Sequence, residues 1–507
     1  MLLSSGYDSS ICTSMKCIAA YDFGTSGVKA ALVSEEGELL AVREKSYPLL
    51  KPRPLYVEQN PDDFWEAVCE VTHQAVADAK IDPSEVSGLS FSVQSVTFTP
   101  VAADGTILYN AISWLDGRAE KQAEEINERC GMPIVRSQDY QSRLLWFKEN
   151  EPDLYDKTAA FLDCDGFLQW KSTGVMKVAK DYPGIMKNHP AIQEYIDVTS
   201  ADIDPDKLPP MVQACEKYGV LDKKGASELG LCEGTPVFGG MVDVPAAAAG
   251  CGCVNNGDAH LYLGSSGWLS AMIDDVYETS EGSYQLNSIE PGLMIYGGCT
   301  NSCCLMLNWA IDHFYAKEHE EMGGKVFDLI NEEVAKVPAG SDGLIATPWL
   351  FGEQFPIADP FVRASFFNIS ENHTRAHFMR AVMECICYSL RGQVELYRKD
   401  TGKDLKEVGA NGGGSLSDPW MQMMADVLQM PVNIPDEPRH SGAIGAAFAA
   451  AVGLGWCGFQ DVKQFVKTKK TFTPDPELAE LYDKRYDTFI KFYESVKTLS
   501  YDINQEE

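Results

Sequence analysis

An acid within a run of small residues is the first feature that could carry chemistry. Asp243 stands in the segment VFGGMVDVPAAAAG, residues 237–250, whose other members are all small or apolar. Small residues let other groups approach the backbone closely, so this carboxylate can lie bare in a cleft. The segment leaves a second interpretation equally open, in which Asp243 is buried and caps the end of a strand.

One hairpin pattern occurs twice, about half a chain apart. Residues 18–33 read IAAYDFGTSGVKAALV and residues 260–273 read HLYLGSSGWLSAMI. Each is an apolar strand, a turn of glycine and hydroxyl residues, and a second strand. Glycine exposes backbone N–H groups at such a turn and the hydroxyls add donors, which together form a nest for phosphate oxygens. The repetition, with an acid close to each turn, predicts a phosphate clamp with two lobes.

The composition limits the class of protein and its partners. A chain of 507 residues is too long for one core and predicts two large domains. Its 74 acidic and 42 basic residues give a formal charge of −32, which argues against nucleic acid or an anionic membrane as a partner. No apolar run approaches the length of a membrane span. A nucleotide is compatible with this charge, because it needs only a local nest of donors.

The cysteines predict a reducing compartment. All 15 lie in apolar runs or among small residues, without an evenly spaced framework. This usage is typical of buried, reduced thiols, and it predicts a cytoplasmic protein. Cys251 and Cys253 could bind a metal, but no second Cys/His pair stands at a usual zinc spacing, which disfavours a zinc site.

Alternating strand and helix patterns favour an α/β fold. We expect a β-meander over residues 15–47, a helix from Pro61, and strands over Val86–Val93 and Ile107–Leu115. Residues 297–315 are interpreted as a glycine-rich turn that opens a buried helix.

The chain shows no low-complexity linker. We place the domain boundary at Asn255–Gly257, which gives domains over residues 15–256 and 257–507. Residues 1–14 are polar and lack the apolar core of a signal peptide, so we interpret them as a disordered extension or expect Met15 to be the natural start.

The chain resembles the FGGY carbohydrate kinases, the family of xylulokinase, glycerol kinase, ribulokinase and gluconokinase. The likeness spans roughly residues 15–495 and rests on DFGTSGVKAAL, GGMVDVPAAAAG, PWLFGEQFPIADPFVRASFFNIS and NGGGSLSDPWMQMMADVLQMPV. It implies an α/β fold of two actin-like, ribonuclease H-like ATPase domains that flank a central cleft holding ATP and a sugar. It also allows a homodimer.

The resemblance assigns the phosphate side of the cleft. Asp243 matches the family's catalytic base, which accepts the proton of the attacking hydroxyl. Asp22 matches an acid that holds Mg²⁺ through water, so Asp22 and Asp243 are the expected carboxylates around the metal. The residues that it places at ATP are Gly24, Thr25, Ser26, Lys29, Gly264, Ser265, Ser266, Asn308, Gly412, Gly413, Gly414 and Ser417. Lys29 could instead be a solvated strand lysine, and Asn308 an ordinary helix residue.

The substrate side departs from the family. Ser95-Val96 stand where xylulokinases carry Met-His and glycerol kinases Arg-Glu, and Val244 follows the base where the family usually has Asn or Gln. We therefore expect a pocket that is less polar than in xylulokinase. The expected substrate contacts are Gln94, Ser95, Val96, Trp114, Asp116, Gln138 and Asp243, with Arg118 nearby. Gln94, Trp114, Asp116, Gln138 and Arg118 could as easily be structural.

Two classes of function are consistent with these motifs. The favoured one is an enzyme that phosphorylates a hydroxyl on a small sugar or polyol with ATP and Mg²⁺. The other is a non-catalytic actin-like ATP-binding sensor or scaffold that kept the clamp and lost the sugar, which Val96 and Val244 would suit. The presence of both Asp22 and Asp243 favours the enzyme, because a binding module has no need of a base.

Overall fold

In the computed structural model, residues 15–131, 135–179 and 201–505 are described, so the predicted extension of residues 1–14 lies outside them. The strands are β1 Cys17–Phe23, β2 Gly27–Ser34, β3 Leu39–Ser46, β4 Glu58–Gln59, β5 Val86–Val93, β6 Phe98–Ala102, β7 Ala111–Ile112, β8 Thr158–Asp163, β9 Val178–Ala179, β10 Met211–Val212, β11 Lys217–Val220, β12 Pro236–Phe238, β13 Met241–Val242, β14 Ala259–Leu263, β15 Gly267–Ile273, β16 Ser283–Asn287, β17 Met294–Thr300, β18 Ile345–Thr347, β19 Ser365–Phe367, β20 Val408–Asn411, β21 Val432–Pro435 and β22 Thr468–Phe472.

The α-helices are α1 Pro61–Ala79, α2 Glu120–Cys130, α3 Tyr140–Asn150, α4 Pro152–Lys157, α5 Cys164–Thr173, α6 Lys223–Leu229, α7 Asp243–Ala249, α8 Cys304–Phe314, α9 Ala316–Met322, α10 Val326–Val334, α11 Arg375–Thr401, α12 Asp418–Leu428, α13 Ser441–Leu454, α14 Val462–Phe465 and α15 Ala479–Asn504. Short 3₁₀ turns cover Pro83–Glu85, Pro205–Lys207, Gly323–Lys325, Ser341–Gly343, Gly413–Leu416, Phe459–Asp461 and Pro476–Leu478. Among the described residues, none of the helices combines the length and apolarity needed to cross a membrane.

Each half of the chain builds one large sheet around its copy of the hairpin. The first sheet runs β11-β12-β5-β1-β2-β3, with β13 also paired to β5, and the second runs β16-β17-β15-β14-β20-β21-β22. In both, the hairpin strands are antiparallel and the first of them is parallel to a later strand, β5 or β20. The hairpin therefore occupies the same place in both sheets, which confirms the predicted α/β fold. A smaller antiparallel sheet, β4-β7-β6-β8, extends the first half.

Helix α7, which begins at Asp243, lies between the two sheets. Helices α1 and α5 cover one face of the first sheet, and α7 and α13 cover the other through an alanine-rich core. Ala248 of α7 also packs on Met272 and Ile295 of the second sheet, whose opposite face carries α8, α11 and α12. Helix α13 comes from the second half of the chain, so its packing crosses the proposed boundary at Asn255–Gly257.

Most element predictions in the first half are confirmed. The meander and the strand Val86–Val93 form as expected. Helix α1 begins at Pro61, where the Asn60 side chain accepts a hydrogen bond from the Asp62 N–H, and buries Phe64 and its neighbours.

Two element predictions are wrong in part. Only Ala111–Ile112 of the expected strand Ile107–Leu115 forms a strand, while Ile107 makes an isolated bridge to Val101 and Ser113 donates to the Val57 carbonyl. Gly297 and Gly298 lie inside strand β17 instead of forming a turn. Their lack of a side chain makes room for aromatic rings, since a Cβ at Gly298 would lie 2.0 Å from the Phe355 ring.

Candidate active site

A cavity of about 1230 Å³ is lined by residues of both halves of the chain. The first half contributes Asp22, Phe23, Gly24, Thr25, Lys29, Val42, Arg43, Glu44, Gln94, Ser95, Val96, Trp114, Asp243, Val244 and Ala247. The second half contributes Tyr262, Ser266, Trp268, Tyr284, Cys299, Gly412, Gly413, Arg439, His440, Ser441 and Gly442. The structure thus brings Asp243 and the turns of both hairpins to one cleft.

Buried amides hold the turn of the first hairpin. The Gly24 N–H donates to the Gly27 carbonyl at 2.9 Å and closes the turn. The Gln59 amide donates to the Thr25 carbonyl at 2.8 Å, and the Trp114 indole donates to the Thr25 hydroxyl at 2.8 Å. Gln59 is fully buried and in turn accepts from Gln94 at 2.9 Å. These hydrogen bonds fix the position of the turn, while Ser26 at its tip is exposed.

The turn of the second hairpin is held by the start of α8. The Gly264 N–H donates to the Ser266 carbonyl at 3.0 Å. The backbone N–H groups of Cys303 and Cys304 donate to the carbonyls of Ser265 and Gly264, both at 2.9 Å. These bonds occupy the carbonyls of the turn, while Ser265 is exposed and the Ser266 side chain hydrogen bonds to the Cys299 thiol.

A glycine loop after β20 borders the cleft beside the second hairpin. Gly412 has φ +85°, and a Cβ there would lie 2.6 Å from the Leu263 carbonyl oxygen, so only glycine fits. A Cβ at Gly413 would meet no atom within 4 Å, which leaves open space above the loop. Ser417 ends the loop, caps α12 and donates to Asn331 at 2.6 Å.

Three carboxylates line the cleft, Asp22, Glu44 and Asp243, and two of them, Asp22 and Asp243, are close enough to interact. Asp243 is exposed to the cleft, but desolvation by the surrounding protein, followed by the negative charge of Asp22, raises the pKa of Asp243 to about 6. Asp22 lies 3.7 Å from the Lys29 Nζ and accepts a long hydrogen bond from Ser92 at 3.4 Å. Two carboxylates that repel each other are suited to share a cation.

Small residues set the position of the helix that begins at Asp243. A Cβ at Gly445 would lie 1.9 Å from the Ala246 carbonyl oxygen, and one at Gly250 would lie 1.9 Å from the Ser441 carbonyl oxygen. Helices α7 and α13 can therefore touch backbone to backbone. From the second sheet, the Asn411 amide donates to the Ala247 carbonyl at 2.8 Å. The position of Asp243 is thus tied to both sheets.

The side of the cleft predicted to meet the sugar contains a strained residue. Val96 lines the cleft with φ +47°, a left-handed conformation that a β-branched residue rarely adopts. The buried Arg143 guanidinium holds it by donating to the carbonyl of Val96 and to those of Ile112 and Ser113. Gln94 is 4% exposed, and its buried Oε1 has no hydrogen-bond partner among the described residues.

Several predicted site residues do not line the cavity. Asp116 is fully buried and pairs with Arg118, which also binds Glu58, so its carboxylate is occupied by the fold. Gln138 and Asn308 are exposed outside the lining. Five further predicted residues lie outside the lining, although other residues of the same turns and glycine loop do line the cavity. They are Ser26, Gly264, Ser265, Gly414 and Ser417.

Sequence reasoning missed an aromatic and a basic part of the cleft. Tyr262 and Trp268 stack at 3.9 Å across the second hairpin, and Tyr284 joins them in the lining. Arg439 and His440 precede α13, and a Cβ at Gly442 would lie 2.6 Å from a carboxylate oxygen of Asp22. The sequence did offer one indication of the basic part of the cleft, because Arg439 and His440 stand directly before a helix of small residues. The tertiary contact of Arg143 with Val96 left no signal in the sequence.

The fold and the cleft together define a two-lobed α/β protein, with one copy of the hairpin in each lobe and a cleft lined by both. Models of the N-terminal and C-terminal domains of the FGGY family of carbohydrate kinases match residues 17–250 and 273–454. The chain belongs to this family and is an ATP-dependent carbohydrate kinase. Family membership confirms the predicted enzyme over the non-catalytic scaffold.

Individual relatives agree with this assignment. A xylulose kinase of Bacillus subtilis (strain 168) is 30% identical over 501 residues, which cover 96% of this chain and 98% of that protein. A gluconokinase of Bacillus licheniformis is 26% identical over 487 residues, covering 92% and 94%. The crystal structure of a xylulose kinase from Rhodospirillum rubrum superimposes with a TM-score of 0.82 at 26% identity, covering 96% of this chain and 100% of that chain.

Proposed function

We propose that Asp243 is the general base that activates a hydroxyl of a small sugar or polyol for phosphorylation by ATP. The observation that carries this proposal is that Asp243 lies in one cleft with the glycine turn of each hairpin. A carboxylate with a pKa of about 6 is ionised at neutral pH and can accept the hydroxyl proton as the phosphoryl group transfers.

The phosphate and adenosine contacts come from both lobes. Gly24, Thr25 and Lys29 of the first hairpin face Ser266 and Gly413 across the cleft, and these donors support polyphosphate binding. Most of the rate then comes from positioning the hydroxyl against the γ-phosphate. Leu305 and Leu416 are 37% and 49% exposed beside the glycine loop, where they offer apolar surface to a purine.

Asp22 and Asp243 fit the needs of Mg²⁺. The described residues contain no cluster of three or more His, Cys, Asp or Glu side chains that could hold a metal by themselves. Mg²⁺ keeps several waters and takes one or two carboxylates plus substrate phosphates, so two acids in the cleft are sufficient. When bound, the ion would neutralise phosphate charge, while Lys29 balances Asp22 on the protein side.

The variant Asp243→Asn tests the base. An amide of the same shape cannot accept the proton, so phosphoryl transfer should fall at least about a hundredfold, the low end for a general base. ATP affinity, measured by calorimetry, should be retained. Glu233→Gln, an exposed acid, is the control and should keep wild-type turnover. Near wild-type turnover by Asp243→Asn on the true substrate would show that the assignment is wrong.

The sugar is proposed to be less hydroxylated toward Val96 and Val244 than xylulose is. Xylulose and gluconate are the substrates in the names of the relatives, but both valines line the cleft and offer no hydrogen bond. A buried hydroxyl without a partner costs about 1–3 kcal/mol, so two such losses lower kcat/KM for D-xylulose by roughly a hundredfold or more. A deoxy sugar, or a sugar of different stereochemistry, avoids this cost.

A coupled ADP-release assay over ketoses, deoxy sugars, aldonates and polyols tests the pocket. D-xylulose should be a poor substrate, and one of the less hydroxylated sugars a good one. The triple variant Ser95→Met, Val96→His and Val244→Asn restores the polar pattern of xylulokinases and should raise D-xylulose activity. Wild-type kcat/KM of about 10⁴ M⁻¹s⁻¹ or above on D-xylulose would contradict the proposal.

A further inference from the structure

Two adjacent thiols lie where the turn of the second hairpin meets the glycine loop after β20. Cys303 is buried and Cys304 half-buried at the start of α8, and the thiols are close enough to share a hydrogen bond. A Cβ at Gly267 would lie 3.2 Å from the Cys303 sulfur, and one at Gly414 would lie 3.3 Å from the Cys304 sulfur. The Cys303 sulfur therefore packs against the second hairpin, and the Cys304 sulfur packs against the glycine loop.

The backbone of the same two cysteines holds the second hairpin. Their N–H groups donate to the carbonyls of Ser265 and Gly264, and the Leu305 N–H donates to Ser265 at 3.2 Å. The Cys304 thiol also contacts the Leu263 carbonyl at 3.6 Å. Any change that rotates the peptide between Cys303 and Cys304 must therefore move the turn that presents Ser265 and Ser266.

We propose that Cys303 and Cys304 form a modification site, a vicinal dithiol that a hydroperoxide oxidises to a disulfide and thereby weakens nucleotide binding. This coupling rests on the proposed nucleotide role of the second hairpin. Neither cysteine lines the cleft, so oxidation would act by displacing the hairpin and not by blocking the cleft.

The oxidation balances with hydroperoxide as the named oxidant. The Cys304 sulfur attacks one peroxide oxygen, the O–O bond breaks, and a sulfenic acid and a water (or an alcohol) form. The Cys303 sulfur then attacks the sulfur of Cys304, the S–O bond breaks, and a second water leaves with the Cys303 proton. Two thiols are oxidised and one peroxide is reduced.

Chain geometry predicts that this disulfide is reversible. Consecutive Cα atoms lie about 3.8 Å apart, which is shorter than the roughly 4.4–6.8 Å of ordinary disulfides. The bond therefore forms only if the intervening peptide distorts, and disulfides that store strain are more easily reduced. Cys304 is the better first nucleophile, because the Cys303 thiol and the Gly414 N–H hydrogen bond to it and lower its pKa, whereas burial opposes this.

A matched pair of cysteines elsewhere in the chain serves as the control. The Cys253 thiol shares a hydrogen bond with Cys251 and donates to the Ala259 carbonyl at 3.1 Å. A Cβ at Gly409 would approach both of these sulfurs, so they lie behind β20 and away from the two turns. The double variant Cys251→Ser/Cys253→Ser should keep the full response to peroxide.

The experiment treats the purified full-length chain with hydrogen peroxide, maps disulfides by peptide mass spectrometry, and measures ATP affinity before and after dithiothreitol. We expect a Cys303–Cys304 disulfide in wild type, about tenfold or greater loss of ATP affinity, as for one lost hydrogen bond to a charged group, and recovery on reduction. Cys303→Ser and Cys304→Ser should each resist that loss.

The wild-type measurements decide the proposal even if a variant does not fold. Absence of the Cys303–Cys304 disulfide after oxidation overturns the site, and a disulfide that leaves ATP affinity unchanged overturns the coupling. Failure of the nucleotide assignment is recognised separately, because Ser266→Ala would then leave ATP affinity unchanged in the reduced protein.

Discussion

At the scale of single residues, surroundings decide what a side chain can do. Asp243 is exposed to the cleft, yet desolvation by the surrounding protein and the charge of Asp22 give it a pKa suited to a base. His260 shows the effect of burial alone, since it is fully buried on β14 and neither ring nitrogen has a hydrogen-bond partner among the described residues. Burial lowers the pKa of His260 to about 3, so the folded protein keeps this ring neutral.

His260 should therefore make the protein sensitive to acid. The unfolded chain binds the proton near pH 6.5 and the folded chain near pH 3, so stability is lost as the pH falls through this window. At pH 5 the loss from this one group is about 2 kcal/mol relative to neutral pH. In urea unfolding, the free energy of unfolding of His260→Leu should fall less than that of wild type between pH 7.5 and 5, by that amount. The exposed His319→Gln is the control. Equal losses in His260→Leu and wild type would refute the prediction.

At the scale of elements, the contact between α7 and α13 sets the position of Asp243, the proposed base. Gly445 and Gly250 leave room for carbonyl oxygens of the opposite helix, so the two helices approach more closely than side chains would permit. Because α7 begins at Asp243, any separation of these helices moves the carboxylate.

Gly445→Ala is expected to separate α7 from α13. Overpacking of this kind costs about 1–3 kcal/mol of stability, and the displacement of Asp243 should lower kcat by up to about a hundredfold. Gly324→Ala is the matched control, because a Cβ at Gly324 would meet no atom within 4 Å. Thermal unfolding and steady-state kinetics measure both effects, and a Gly445→Ala protein with wild-type stability and kcat would contradict this account.

At the scale of the whole molecule, the two lobes share one active site. The residues proposed to donate to ATP come from both sheets, and α7, α13 and the bond between Asn411 and Ala247 connect those sheets. Closure on nucleotide and sugar would expel water and align the hydroxyl with the γ-phosphate. Small-angle X-ray scattering should show a smaller radius of gyration with sugar plus a non-hydrolysable ATP analogue than with either ligand alone. An unchanged radius at saturation would exclude closure.

The sequence by itself determined the repeated hairpin, the kinase family and the identity of the candidate base. These features are local, because a strand, a glycine turn and an isolated acid are visible in neighbouring residues. The same motifs predicted Gly24, Thr25, Lys29, Ser266 and Gly413, all of which line the cleft. The departures at Val96 and Val244 were also readable, since each follows a recognisable motif.

Only the tertiary structure decided which polar residues face the cleft. Asp116 looked like a ligand residue, but Arg118 and the Val57 N–H occupy its carboxylate, and both contacts depend on how distant segments fold together. Arg439 and His440 enter the cleft because α13 crosses back onto the first sheet, a path that local patterns do not encode. Gly297 and Gly298 likewise sit in a strand because the rings of Tyr284 and Phe355, from other segments, fill the space beside them.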